Sequence, residues 1–312
     1  MKSAFCVLPL LAVVIPLVMS AQPAAPVKYK DFVFKEVTVK QHLQYKTIVP
    51  PGSKKKYYQF DFYEPAGDST ALRPLIIWLH GGGFKFGKKT SAGTPVWSRT
   101  FARRGYVCAA VNYRLSKKHP LKNFADLVEG CANAIADVQD AVDFFKTHCR
   151  QLGIDSNRIV LAGNSAGGMI ALQAVYSSPR EMAQLVHSGD TAMPPGYRHH
   201  PQQIAAVVNC WGALFDSSWL KNNRVPIVSV HGRKDRVVPC DHQNPSLYGS
   251  LAIHRMADLL GIPNHLKIFE GYGHELQKHF NPLFAGSGAK KRWLQAGDFI
   301  AAFLYDQLFA LK

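Results

Sequence analysis

The spacing of hydrophobic positions changes near residue 75. Before it, short stretches of alternating or aromatic character predict strands over residues 32–39, 45–49 and 57–63. After it, continuous apolar runs alternate with longer helical segments. Each run predicts a buried strand, and the runs cover residues 75–79, 106–111, 159–162, 204–208, 227–230 and 266–269.

The clearest helix is predicted over residues 121–149. Apolar residues recur there at steps of three and four, which places them on one helical face: Val128, Cys131, Ile135, Val138, Val142, Phe145 and Cys149. Buried strands between amphipathic helices are typical of the α/β class. We therefore predict a mostly parallel central sheet with helices on both faces and antiparallel strands at its N-terminal edge.

The chain shows no internal repeat, and no linker interrupts residues 30–312. We predict a single catalytic domain over residues 22–312. A stretch rich in proline and histidine, residues 188–203, predicts an inserted loop over one end of the sheet. Whether that loop moves as a lid stays open at this point.

Residues 1–21 have the order of a secretory signal peptide. Lys2 precedes an apolar stretch from Ala4 to Val18, and small residues follow at Ser20 and Ala21. The apolar part contains two prolines and is shorter than the roughly 20 residues that a membrane-spanning helix needs. We expect cleavage after Ser20 or Ala21, a secreted or periplasmic protein, and no stable membrane insertion afterwards. An uncleaved anchor is the alternative.

The formal net charge is +16, which could favour acidic partners. The basic residues are scattered in small groups without interleaved aromatic residues: Lys54-Lys55-Lys56, Lys88-Lys89, Lys117-Lys118 and Lys290-Lys291-Arg292. This pattern does not match a nucleic-acid-binding motif. We interpret the charge as solvated surface and predict no nucleic-acid partner, with attraction to an anionic polysaccharide or cell envelope as the alternative.

Five of the six cysteines lie outside the predicted signal peptide, so at least one has no partner within the mature chain. Cys131 and Cys149 lie on one predicted helix about 27 Å apart, far beyond the ~7 Å that a disulfide spans. Cys210 and Cys240 each follow a predicted strand and are a possible pair. The sequence contains no CxxC or HExxH motif, so we predict no metal site.

Two glycine-rich motifs directly follow predicted strands. GNSAGG, residues 163–168, places Ser165 on a tight turn, and HGGGF, residues 80–84, provides three successive glycines. The carboxyl ends of parallel strands lie at one edge of a sheet, where ligands bind. A serine on a strained turn can act as a nucleophile, and glycine N–H groups can bind a developing oxyanion. A simple tight turn is the alternative for Ser165.

Two later motifs supply the groups that a serine nucleophile needs. HGRKDRVVP, residues 231–239, carries Asp235, and GYGHE, residues 271–275, carries His274. A serine hydroxyl needs a nearby base, and that base needs a group that fixes its tautomer. We predict Ser165, His274 and Asp235 as catalytic residues. Asp216, after the preceding strand, is a rival for the carboxylate position.

Taken together, HGGGF, VNYRLS (residues 111–116), GNSAGG, HGRKDRVVP and GYGHE resemble the α/β-hydrolase carboxylesterases, in particular the esterase/lipase branch with an HGGG oxyanion motif. The resemblance runs from about residue 55 to the C-terminus. It implies the α/β-hydrolase fold, a serine esterase that needs no cofactor, and an oxyanion hole formed by the N–H groups of Gly82, Gly83 and Ala166.

Substrate identity is less constrained by the motifs. We predict a small-molecule or polysaccharide ester, with short acyl chains or carbohydrate-linked acetyl or feruloyl groups. Phe84, Tyr113 and Trp211 are candidates to line the substrate pocket, with packing as the alternative for each. A serine peptidase of the prolyl-oligopeptidase type and a non-catalytic binding protein stay open as other functions. The sequence does not predict an oligomeric state.

Overall fold

The computed structural model describes residues 25–91, 93–185, 197, 204–243, 247–281 and 284–310. The predicted signal peptide lies outside the described residues, and so does the predicted loop at 188–203 apart from Tyr197. Tyr197 is buried, and its hydroxyl lies 2.6 Å from Ser177 Oγ.

The centre of the molecule is an eight-stranded sheet in the order β1-β2-β4-β3-β5-β6-β7-β10. Antiparallel pairing joins β1 to β2 and β2 to β4, and the other neighbours are parallel. The predicted sheet class and its antiparallel N-terminal edge are confirmed. The strands are β1 (Val37–Gln44), β2 (Gln59–Pro65), β3 (Arg73–Leu79), β4 (Val107–Val111), β5 (Ile154–Asn164), β6 (Ala206–Cys210), β7 (Ile227–Gly232) and β10 (Asn264–Phe269), with β8 (His242–Gln243) and β9 (Leu247–Tyr248) forming a separate pair.

Helices cover both faces of this sheet. They are α1 (Gly93–Ala102), α2 (Phe124–Thr147), α3 (Ala166–Tyr176), α4 (Pro179–Gln184), α5 (Ser250–Leu259) and α6 (Ser287–Tyr305). The predicted helix at 121–149 is confirmed as α2 with shorter ends. It starts later because the Asn123 side chain accepts the Asp126 N–H and caps the first turn. In the described part of the chain, no helix is long and apolar enough to cross a membrane.

Two apolar clusters, one on each face of the sheet, explain why the sequences of the central strands are continuously hydrophobic. In β3, Leu75 and Ile77 face the cluster that contains α2, α3 and α5. Ile76 and Trp78 face the opposite cluster, which contains α1 and α6. Because both sides of the strand are covered, every position in it is buried.

The N-terminal strands differ from the prediction. The first strand begins at Val37 rather than at residue 32, and residues 45–49 form no strand. The backbone there is fixed by one buried tyrosine instead. The Tyr45 N–H donates to the Tyr58 carbonyl, and the Tyr45 hydroxyl contacts the carbonyls of Tyr57 and Asn112.

The possible disulfide between Cys210 and Cys240 is wrong, since both thiols are free. The two residues belong to opposite sides of the sheet. Cys210 points into the cluster with α1 and α6. The Cys240 carbonyl accepts the Leu251 N–H of α5, a helix that packs on the other face.

Candidate active site

Ser165 lies on a strained bend between β5 and α3. Its φ of 53° and ψ of −120° are rare for a residue with a side chain. The bend is tight because strand and helix cross closely: a Cβ at Gly163 would overlap the backbone of Gly167. The Ser165 N–H donates to the Cys210 carbonyl, which ties the bend to β6. The nucleophile turn predicted from GNSAGG is present in this geometry.

His274 joins Ser165 to Asp235. His274 Nε2 lies 3.0 Å from Ser165 Oγ, and its Nδ1 lies 2.7 Å from Asp235 Oδ2. A carboxylate can only accept, so Nδ1–H donates to Asp235 and Nε2 is free to accept the serine hydroxyl proton. All three side chains are buried. The structure therefore brings together the three residues predicted from separate motifs.

Asp235 accepts hydrogen bonds on both of its carboxylate oxygens. Its Oδ1 accepts the N–H groups of Val237 at 2.8 Å and Val238 at 3.0 Å. Burial acts to raise the pKa of Asp235, but hydrogen bonds from His231 and His274 outweigh burial and hold that pKa well below its usual range. The carboxylate therefore stays ionised beside His274.

His231 contributes to this arrangement in a way that the sequence did not reveal. Its Nε2 lies 3.1 Å from the Val238 carbonyl and 3.4 Å from Asp235 Oδ2. Both are acceptors, so Nε2 carries a proton, and Nδ1 lies 2.8 Å from Ser250 Oγ. The motif alone gave His231 no role of its own. The available signal was its place four residues before Asp235 in the same motif.

Asp216 does not take the carboxylate role. Its Oδ1 accepts the Ser218 N–H at 2.8 Å and so caps the short 3-10 helix Ser217–Asn222. This is an ordinary capping interaction. His274 contacts Asp235 instead, so the geometry favours Asp235 over Asp216 as the carboxylate partner of the histidine.

The glycine loop after β3 lies directly against Ser165. A Cβ at Gly81 would be 3.2 Å from Ser165 Cβ, and one at Gly82 would overlap the Phe86 carbonyl. Within the described residues, the N–H groups of Gly82 and Gly83 make no backbone hydrogen bond. Ala166 is the first residue of α3, where an N–H has no partner within the helix. Three N–H groups near the serine are thus available to an incoming oxygen.

His80 and Tyr113 support the loop from behind. Their rings stack at 4.2 Å, and the Tyr113 hydroxyl donates to the His80 carbonyl at 2.7 Å. His80 Nδ1 lies 2.7 Å from the Gly81 carbonyl. Burial lowers the pKa of His80 to about 4, so the ring is neutral near pH 7 and acts as a structural donor.

The three predicted pocket residues are fully buried, and Phe84 and Trp211 pack into the interior. Tyr113 also lies in the wall of a cleft of about 280 Å³ beside the glycine loop. Phe84 has a φ of 59° that directs its ring inward against Gly130 of α2. Trp211 packs against Trp97, with ring centroids 5.6 Å apart.

Other apolar side chains, which the motifs did not indicate as substrate-binding residues, are exposed at the site. Leu121 is 62% exposed and touches Gly83, while Phe86 is 62% exposed two residues after the inward-facing phenylalanine. Phe280 is 40% exposed and meets the His274 ring edge-on at 4.9 Å. Leu121 thus borders the glycine loop, and Phe280 borders His274.

Glu275 follows His274 directly in the chain. The structure places it partly buried, at a left-handed φ of 54°. Burial raises the pKa of its carboxyl. The Trp293 indole N–H donates to its carbonyl at 2.8 Å, which fixes the turn that carries His274.

No group of three or more His, Cys, Asp or Glu side chains in the part of the chain that the structure describes could hold a metal ion. The groups described above offer the chemistry of a serine hydroxyl, an imidazole and backbone N–H groups. A serine activated in this way can attack an electrophilic carbon.

Comparisons with known proteins agree with this geometry. Ethyl acetate hydrolase of Pseudomonas putida is 31% identical over 124 residues, which is 39% of this chain and 36% of that protein. Among the curated relatives compared, the matched regions cover only 25% to 46% of their lengths.

Solved structures match over a much larger share of the chain. The propionate-bound esterase 2 of Thermogutta terrifontis superposes with a TM-score of 0.57 at 21% identity, covering 88% of this chain and 95% of that one. A truncated carbohydrate esterase from gut microbiota gives 0.55 at 18% identity, covering 90% and 99%. These likenesses confirm the α/β-hydrolase fold. The BD-FAE profile matches residues 60–216, half of the chain, and the chain belongs to the BD-FAE family of α/β hydrolases.

Proposed function

We propose that this protein is a carboxylic ester hydrolase that works through an acyl-enzyme on Ser165. The observation that carries the proposal is the hydrogen-bonded chain from Ser165 through His274 to Asp235, next to a glycine loop with unpaired N–H groups. Family membership and the esterases among the relatives support the same reaction.

The reaction has two halves. Ser165 Oγ attacks the ester carbonyl while His274 Nε2 takes its proton, and Asp235 stabilises the imidazolium that forms. The N–H groups of Gly82, Gly83 and Ala166 stabilise the oxyanion. His274 then protonates the departing alcohol. Water attacks the acyl-enzyme with His274 as base, which releases the acid and regenerates the serine.

We propose small acyl groups, including acyl groups carried on saccharides, as the substrates. Leu121 stands against Gly83 and Phe280 against His274, so apolar side chains border both the proposed oxyanion donors and the proposed base. The names of the similar proteins support this choice, since one hydrolyses ethyl acetate, one holds propionate and one is a carbohydrate esterase. Feruloyl groups are the larger alternative from the sequence.

We also propose that the protein is exported. The support is the signal-peptide pattern of residues 1–21, and residues 22–312 would form the mature single domain. Mass spectrometry of the mature N-terminus from the native host tests this. A chain that starts at Met1 in the purified protein would contradict it.

The catalytic proposal is tested by labelling and by kinetics together. A fluorophosphonate should modify the parent protein at Ser165, and Ser165→Ala should lose both the label and the hydrolysis of p-nitrophenyl acetate. Ser156→Ala, at the opposite end of β5, is the matched control and should keep both. An unlabelled but folded parent would favour a binding protein. Faster cleavage of a prolyl p-nitroanilide than of any ester would favour a peptidase.

A further inference from the structure

A second built site lies at the same edge of the sheet and starts from a distortion in β1. The register between β1 and β2 shifts between Lys40 and Leu43, which is a β-bulge. Within the bulge, His42 has a left-handed φ of 58°. Bulges re-aim side chains and are frequent beside functional sites. The His42 N–H is held by Asp61 Oδ1 at 2.9 Å, so the strained conformation has a specific anchor.

The anchor is itself part of a buried ion pair. Lys89 Nζ lies 2.6 Å from Asp61 Oδ1, and the two side chains are only 4% and 1% exposed. The same ammonium lies 3.3 Å from His42 Nδ1. An ammonium can only donate, so Nδ1 is the acceptor and the outer Nε2 carries the proton. Burying an ion pair is costly. Here the pair fixes the position and the tautomer of an exposed imidazole.

This imidazole stands at a cleft of about 280 Å³, which we call the His42 cleft. That volume is at the small end of the roughly 300–1,000 Å³ of ligand sites and suits a group the size of one sugar ring. Lys56 and Lys88 contribute cations to its wall, and Gln59 and Asn112 contribute amides. Among the described residues, no carboxylate lines it. Both lysines are exposed, and neither forms an ion pair with another described residue.

Sheet topology places this cleft beside the proposed catalytic serine. β2 runs antiparallel to β4, so Gln59 at its start lies near Asn112, just beyond the end of β4. The back of the cleft is made by His80, which begins the glycine loop after β3. Strands are spaced about 4.8 Å apart, and β4 and β2 are two and three strands away from β5. The cleft is therefore roughly 10–15 Å from Ser165 along one edge.

We propose that the His42 cleft binds an anionic group, a carboxylate or a sulfate, on the saccharide whose ester bond is cleaved at Ser165. The lysines at positions 56 and 88 supply the charge, and the Nε2–H of His42 supplies a directed hydrogen bond. The distance corresponds to a neighbouring sugar along an oligosaccharide rather than to the esterified sugar itself. The inference rests on the proposed function for its substrate, but its binding step does not require turnover.

The binding test uses the Ser165→Ala protein, so that no ligand is consumed. Calorimetry would compare tetragalacturonate, a sulfated carrageenan tetrasaccharide and neutral xylotetraose. We expect at least one anionic ligand to bind at least tenfold more tightly than xylotetraose. The two anionic arms distinguish a carboxylate from a sulfate. Raising salt from about 20 mM to about 0.5 M should remove most of the difference, because exposed charges are then screened.

Two double variants, each of which removes two positive charges, test where the anionic ligand binds. Lys56→Gln with Lys88→Gln should weaken anionic binding about five- to thirtyfold. Lys290→Gln with Lys291→Gln, on exposed positions of α6, should leave it unchanged. His42→Ala should also weaken anionic binding and leave xylotetraose binding as it was. Equal binding of charged and neutral ligands, or an equal loss in both double variants, would overturn the inference.

A kinetic arm separates the two proposals. For the carboxylate case, the ratio of kcat/KM on acetylated oligogalacturonate to kcat/KM on acetylated xylo-oligosaccharide should be lower in the Lys56/Lys88 double variant than in the parent protein. If the parent hydrolyses p-nitrophenyl acetate but binds neither anionic oligosaccharide more tightly than xylotetraose, the anionic cleft is wrong and the esterase stands. If anionic ligands bind as expected while the parent hydrolyses no ester, the esterase proposal is wrong and the cleft stands.

Discussion

Asp235 and Asp61 are both buried, and both hold a histidine at the carboxyl edge of the sheet, but their charges are handled differently. Asp235 accepts from two backbone N–H groups and two imidazoles, none of which carries a permanent charge. Asp61 receives the ammonium of Lys89, and its Oδ2 has no hydrogen-bond partner among the described residues. Donors without a permanent charge keep an anion ionised without pairing it with a fixed cation, so the charge of Asp235 can act on His274. A buried cation cancels the charge and leaves a rigid support.

The largest expected effect is the loss of kcat when Asp235 loses its charge. Asp235→Asn keeps the shape of the side chain but removes the charge and favours the wrong imidazole tautomer. We expect kcat on p-nitrophenyl acetate to fall about 10⁴-fold. A loss below tenfold in a folded protein, checked by circular dichroism, would mean that Asp235 does not serve His274. Asp216→Asn is the matched control and should change kcat little.

For Asp61 we expect a loss of stability rather than a loss of catalytic rate. Asp61→Asn leaves Lys89 buried without a counter-ion, so the free energy of unfolding should fall by about 3–5 kcal/mol. Replacing the pair by apolar residues, Asp61→Leu with Lys89→Met, removes both desolvated charges and should recover most of that loss. Urea unfolding measures both variants. Equal destabilisation by the single and double changes would contradict the ion-pair account.

The glycine loop lies between the strands that carry the two aspartates, and its contribution to catalysis can be tested separately. Gly82 has a φ of 119°, and an added Cβ would overlap the Phe86 carbonyl. Gly82→Ala should therefore displace an oxyanion donor and lower kcat about 10²- to 10³-fold. Gly286→Ala, where a Cβ would meet open space, is the control for a glycine substitution as such. An active Gly82→Ala protein would remove the loop from the mechanism.

A smaller effect on kcat is expected for variants of His231, and it tests whether this residue positions Asp235. His231→Phe removes the donor beside Asp235 and the ring nitrogen that contacts Ser250 Oγ, at a cost of about 1–3 kcal/mol. Because the carboxylate is then less well fixed, kcat should fall while KM changes little. His231→Gln can replace the Nε2 donor and should restore part of kcat. A loss of stability with unchanged kcat would show that His231 only packs.

The smallest effect is a pH dependence of stability. The pKa of Asp235 lies below its value in the unfolded chain, about 3.9. Its contribution is therefore complete above about pH 4 and is lost as the pH falls further. The stability difference between the parent and Asp235→Asn, of order 1–2 kcal/mol at pH 7, should shrink below pH 4. Urea unfolding at pH 7 and about pH 3.5 gives the difference.

Sequence patterns predicted the elements that depend on short-range signals. Apolar runs located the parallel strands, and a residue that follows such a run lies at the carboxyl edge whatever the strand order. That is why Ser165, Asp235 and His274 could be selected from three distant motifs and are found within hydrogen-bonding distance. Their roles stay predictions until the variants above are measured.

Side-chain direction and long-range pairing could not be predicted in the same way. Phe84 turns inward because of a positive φ, while Phe86 two residues later is exposed, and nothing in the motif distinguishes them. The bulge at His42 depends on Asp61 and on Lys89, 28 residues further along the chain. The Cys210 prediction failed because a strand end does not show which face its side chain takes.

The antiparallel orientation of β2 has a consequence for how such a protein can diversify. The segment that leads into β2 reaches this edge of the sheet from outside the parallel core, and hydrogen bonds of Tyr45 and Tyr58 help to hold it there. If the His42 cleft binds saccharides as proposed, insertions or new charges between these two tyrosines would alter which polymers bind, without moving the turn that carries Ser165. Selectivity and reaction rate would then be encoded by separate stretches of the gene.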